Sequence, residues 1–170
     1  MKSKTLALAV AFALALPFLA QAKTLKFPKE DPEFSVTFAD DWTAEITDSG
    51  IITAQPKGAA YSVSIFPVAA KTAADAVQET LKEVAARFSD VKASKPSEFK
   101  TANGIQFTEG DYTAKDKGAD RALAILAFSP GGKRYYALFQ AGTPEADKEY
   151  TPAIVTAVKS IKAIKASDDD

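Results

Sequence analysis

The chain has 170 residues, 46% of them hydrophobic, and 21 Lys and Arg against 22 Asp and Glu give a net charge of −1. It contains no histidine and no cysteine. Those two zeros exclude a Ser–His triad, a cysteine nucleophile, a disulfide framework and the usual zinc or copper ligand sets. The near-balanced charge argues against the basic stripe of a nucleic-acid binder.

The first residues read as an export signal. Lys2 and Lys4 precede the apolar run "TLALAVAFALALPFLA", and Ala20-Gln21-Ala22 supplies the small-x-small cleavage pattern. The run is short for a membrane span, and no later stretch is apolar enough to cross a bilayer. The expectation is a signal peptide over 1–22, cleavage after Ala22, and a periplasmic or secreted protein with no stable membrane insertion. A single domain over 23–165 follows, large enough to bury a normal core without staples. The "ASDDD" stretch over 166–170 reads as a disordered acidic tail.

"FSVTF" (34–38) alternates Phe34, Val36 and Phe38 with Ser35 and Thr37, the period of a half-buried strand. "WTAEIT" (42–47) continues it, with Trp42, Ala44 and Ile46 on one face. "TDSG" (47–50) supplies a turn, "IITAQP" (51–56) the returning strand, and "AYSVSIF" (60–66) a fourth. The lone Trp42 shares its face with Ala44 and Ile46, which makes it a core aromatic.

The period then changes. Val77, Leu81, Val84 and Phe88 form one face of a helix over 72–90, and Thr72 three residues ahead of Asp75 resembles a capping box. Pro96 enforces an extended stretch. "NGIQFTEGDYTA" (103–114) reads as a strand interrupted or bulged at Gly110. "KDKGAD" (115–120) turns into "RALAILAF" (121–128), and "SPGGK" (129–133) turns into "RYYALFQA" (134–141). Both of these strands are apolar on both faces, which places them mid-sheet with cover on each side. A final helix begins near Thr151–Pro152 with Ile154, Val155, Val158 and Ile161 as its apolar face. Neighbouring strands joined by hairpins predict an α+β fold: an antiparallel sheet of about six to eight strands with helices on its faces.

With "FSVTFADDW" early, "GKRYYALFQAG" late and "IVTAVKSIKAI" at the end, the layout over 31–165 resembles the PsbP-like superfamily. That group includes photosystem extrinsic proteins, the Ran-binding Mog-type proteins and bacterial DcrB-type proteins. The Eag-type chaperones of type VI secretion, which shield apolar helices, look similar too. The resemblance implies an α/β/α sandwich and an accessory or binding role.

Few residues offer chemistry. Ser97 and Lys100 match an S-x-x-K spacing, but the stretch reads extended, no K-T-G follows, and strand geometry points the two to opposite sides. Asp40 with Asp41, and Asp168 to Asp170, lack the spaced acidic loop that calcium requires. Lys159, Lys162 and Lys165 line one face of the last helix and complement its dipole. Tyr61, Tyr112 and Phe66 read mainly as core aromatics. Tyr135 and Tyr136, beside the "SPGGK" turn, are the candidate partner contact. The expectation is a non-enzymatic exported module without metal or cofactor, acting through contacts with an envelope protein. The alternative is an envelope chaperone or carrier of small apolar ligands, held in a groove between sheet and helix.

Overall fold

The computed structural model describes residues 22–164, so the expected signal peptide, but for Ala22, and the expected acidic tail lie outside the described residues. Eleven strands and two helices follow in the order β1 (Lys23–Phe27), β2 (Phe34–Phe38), β3 (Trp42–Ile46), β4 (Ile52–Pro56), β5 (Tyr61–Val68), α1 (Ala73–Ala85), β6 (Ser89–Ala93), β7 (Ser97–Lys100), β8 (Gln106–Asp116), β9 (Ala119–Phe128), β10 (Tyr135–Gly142), α2 (Pro144–Ser160) and β11 (Lys162–Ala163). An antiparallel 8-stranded sheet runs β3-β4-β5-β10-β9-β8-β6, with β7 also paired to β8. A 3-stranded sheet, β1-β2-β11, packs on one of its faces beside α2, and α1 covers the other. This is the α+β architecture the alternation predicts.

The central strands β9 and β10 show why their residues are apolar on both sides. Ala124, Leu126 and Phe128 face the small sheet and α2, while Leu123, Ile125 and Ala127 face α1. Ala127 and Ala137 are fully buried under Ala76 and Val77 of α1, because methyl side chains let the helix approach the sheet closely. The first helix begins as Thr72 predicts: its hydroxyl accepts from the Asp75 N–H at 3.0 Å. It stops at Ala85, several residues short of the expected end, and Ser89 already belongs to β6.

Three other expectations are corrected. Gly110 is not a bulge, since β8 pairs with β9 in unbroken register from Phe107↔Phe128 to Asp116↔Ala119. It is glycine because the Tyr112 ring and hydroxyl occupy the space its Cβ would need. The irregularity lies instead on β6, between Ser89 and Lys92. The last helix starts one full segment earlier than Thr151. Thr143 caps it by accepting from the Ala146 N–H at 3.2 Å, Pro144 takes the first turn, and Pro152 lies inside the helix. It also ends at Ser160, so Lys162 sits on β11 and not on the helix face with Lys159; Lys165 lies outside the described residues. The strand over Lys23–Phe27 has no counterpart in the sequence reading.

Candidate functional site

Tyr135 and Tyr136 do not form a shared surface. Consecutive strand residues point to opposite faces, and here Tyr136 is 0% exposed. Its ring meets Phe27, Phe34 and Phe128 at centroid separations of 5.8, 5.0 and 5.8 Å. Burial, aided by the Glu33 carboxylate, pushes its phenol up to about 12. Tyr136 is therefore a core residue, and the expectation of a partner contact there is corrected. Tyr135 is half-buried on the α1 side, packed against that helix's core. Trp42 is buried as its alternation implies, stacked on Phe38 and edge-on to Tyr61 and Tyr150.

Ser97 and Lys100 lie on β7, as the extended reading requires. The Ser97 hydroxyl donates to the Glu109 carboxylate at 3.2 Å and has no basic partner. Asp40 and Asp41 occupy the turn into β3, where the Trp42 N–H donates to the Ala39 carbonyl. Among the described residues, no group of three or more Asp or Glu side chains is placed to hold a metal ion. No helix among them is long and apolar enough to cross a membrane.

The feature with a binding geometry is a groove of about 560 Å³ between α2 and the β7–β8 side of the large sheet. Its walls are Phe99, Leu126, Ile154, Val155 and Val158. Val155 is 42% exposed and is the only large hydrophobic side chain so exposed among the described residues. It is exposed because α2 carries an apolar stripe wider than the sheet beneath it can cover. Ile154 and Val158 face inward and are buried, while Thr151, Val155 and Lys159, spaced by four, form the outer row. The opposite wall is fixed by Asn103, whose side-chain amide donates to the Lys159 and Ile161 carbonyls at 2.9 and 3.0 Å. That contact ties the β7–β8 connection to the C-terminal end of α2.

Polar groups sit at defined places in this apolar lining. Gln140, on β10 and 7% exposed, reaches the groove, and its Oε1 is buried without a hydrogen-bond partner. Glu109 lies two strands away on the same face of the sheet, as the pairings Glu109↔Leu126 and Leu126↔Leu138 show. Burial lifts the Glu109 carboxyl above its ordinary value, the Asp111 charge adds to the lift, and the Ser97 hydroxyl partly offsets it. Asp147, one turn before Thr151 on α2 and just outside the lining, is raised in the same way, by burial first and then by Asp111. Lys100 and Lys159 stand at the other end. The groove can therefore hold an apolar body and orient it by charge.

Of these residues, Ile154, Val155 and Val158 are legible as a helix face. Gln140 stands out in the sequence as an amide side chain in a strand apolar on both faces. Glu109 carries no such signal, because its role depends on the pairing of β7 and β8.

No family model matches the chain, and no curated protein matches its sequence. Solved structures match its fold. CyanoP, the cyanobacterial PsbP of Synechocystis sp. PCC 6803, aligns with a TM-score of 0.61 at 10% identity, covering 91% of this chain and 99% of that one. The Ran-binding protein Mog1p of Saccharomyces cerevisiae aligns at 0.55 and 6% identity, covering 86% and 97%. LpqN of Mycobacterium tuberculosis, involved in cell envelope biogenesis, aligns at 0.52 and 11% identity, covering 85% and 92%. At these identities the likeness is one of architecture: the chain has the PsbP-like fold.

Proposed function

We propose that this protein is a non-enzymatic, exported binding module of the cell envelope that holds a small apolar ligand in the groove beside α2. The observation that carries this reading is the groove itself: a volume of about 560 Å³ whose walls are apolar and whose outer row leaves Val155 uncovered. That volume falls within the range of roughly 300–1,000 Å³ typical of small-molecule sites, with a few placed polar groups to fix orientation. Action through a tyrosine surface is the weaker form of the same role, since Tyr136 is inside the core and Tyr135 stands on the far side of the sheet. The export pattern of the leader supports an envelope setting, as does the likeness to LpqN.

The test is titration with N-phenylnaphthylamine, an apolar dye that fluoresces when it leaves water. The wild-type protein gives saturable enhancement. Val155→Asp, at an exposed site that tolerates the charge, weakens the dye by about tenfold or more, the equivalent of about 1.4 kcal/mol. Tyr135→Ala leaves it unchanged. Absence of saturable binding, or equal binding by Val155→Asp, overturns the reading.

A further inference from the structure

The groove has a direction. Along α2, Asp147, Thr151, Val155 and Lys159 recur every four residues and so form one row, acidic at its start and basic at its end. The sheet side repeats the polarity. Glu109 and Asp111 share a face of β8, while Lys100 lies at the end of β7 beyond Phe99. Asp111, Ala124 and Gln140 are register partners across β8, β9 and β10, so the Gln140 amide stands at the acidic end. None of Glu109, Asp111 and Asp147 is in an ion pair among the described residues.

Two independent observations thus ask for a ligand. The acidic end gathers negative charge without a counter-cation. The Gln140 Oε1 is buried and unpartnered, a state that costs about 1–3 kcal/mol unless a donor satisfies it. A side-chain amide carries both a donor and an acceptor, which is the complement of a peptide group. From Asp147 to Lys159 the helix rises about 18 Å at 1.5 Å per residue. An extended peptide spans that with about five or six residues at roughly 3.3–3.6 Å each.

Resting on the groove reading above, we propose that the ligand is a short apolar peptide with free termini, its ammonium held by Glu109, Asp111 and Asp147 and its carboxylate by Lys159 and Lys100. The apolar side chains lie against Phe99, Leu126 and Val155, and a peptide group pairs with Gln140. Burial lifts the Glu109 and Asp147 carboxyls alike, so both lose charge on acidification more readily than ordinary carboxylates. Peptide affinity therefore falls as these carboxyls take up protons on acidification.

The experiment is calorimetric titration of the protein with Leu-Ala-Leu-Ala-Leu, its N-acetylated form, its C-amidated form and decanol. The free peptide binds, and acetylation and amidation each weaken it about tenfold or more. Glu109→Gln and Asp111→Asn, both at partly or fully exposed positions, weaken the free peptide and leave the acetylated one unchanged. Lys159→Met weakens the free peptide and leaves the amide unchanged. Equal affinity for free and blocked peptides overturns recognition of the termini and leaves the apolar groove standing. Binding of decanol without binding of any peptide overturns the peptide and keeps a small apolar ligand. Failure of all four ligands overturns both proposals.

Discussion

Trp42 decides how the N-terminal half of the sheet is held. It is 5% exposed and sits between Phe38 of the small sheet, Tyr61 of the large one and Tyr150 of α2, so one indole joins three elements. Trp42→Ala is expected to cost about 3–5 kcal/mol, the usual range for a large core aromatic. Chemical denaturation measures it, and native emission is blue-shifted and moves red on unfolding. Glu109 makes the opposite kind of contribution. Its folded carboxyl is raised, so the native state takes up a proton at higher pH than the unfolded chain does. The penalty for its ionisation is present above the raised value and disappears as the pH falls toward the ordinary carboxylate range. Glu109→Gln is accordingly more stable than wild type at neutral pH, and thermal melts show the difference closing on acidification. A difference that grows on acidification contradicts this sign.

At the scale of elements, α2 matters most because it builds one wall of the groove. Thr143 caps it with an acceptor bond, whereas the Thr151 hydroxyl donates back to the Asp147 carbonyl within the helix. Thr143→Ala is expected to lose about 1 kcal/mol in denaturation midpoint analysis, the typical value of an N-cap, and Thr151→Ala markedly less. The same element shows what the sequence does and does not express. Thr143-Pro144 and Thr151-Pro152 carry identical cap signals, and local pattern cannot say which one opens the helix. The choice is made by packing: starting at Pro144 lets Tyr150 reach Trp42 and Tyr61. The β-strands are legible because burial enforces a period of two on Phe34, Val36 and Phe38, and on Tyr61, Val63 and Ile65. The strand Lys23–Phe27 is not, since only Phe27 in it is buried and its place is set by pairing with β2. Gly110 looked like a bulge for a related reason: the residue that requires it, Tyr112, acts across the face of the strand and not along it.

At the scale of the whole molecule, the two faces of the large sheet have different work. The α1 face is closed by small residues, with Ala76, Ala127 and Ala137 fully buried, and its opening of about 420 Å³ beside Ile51, Phe66, Val84 and Phe139 is rimmed by the charged Glu83 and Arg87. The other face is closed by the small sheet, whose Phe27, Phe34 and Phe38 pack on Tyr136, Phe128 and Trp42, and by α2 beside it, and the groove is the space α2 leaves beside β7 and β8. That asymmetry also explains why the paired tyrosines share no surface: Tyr135 and Tyr136 are adjacent in sequence but separated by the thickness of the sheet. The central claim, that the groove beside α2 is the binding site, is tested most directly by backbone amide chemical shifts recorded during titration with decanol. Saturable shifts concentrated at Phe99 to Ala102, Leu126, Gln140 and Ile154 to Lys159 are the predicted result. Shifts centred on Tyr135 and the α1 face, or scattered shifts that do not saturate, would contradict it.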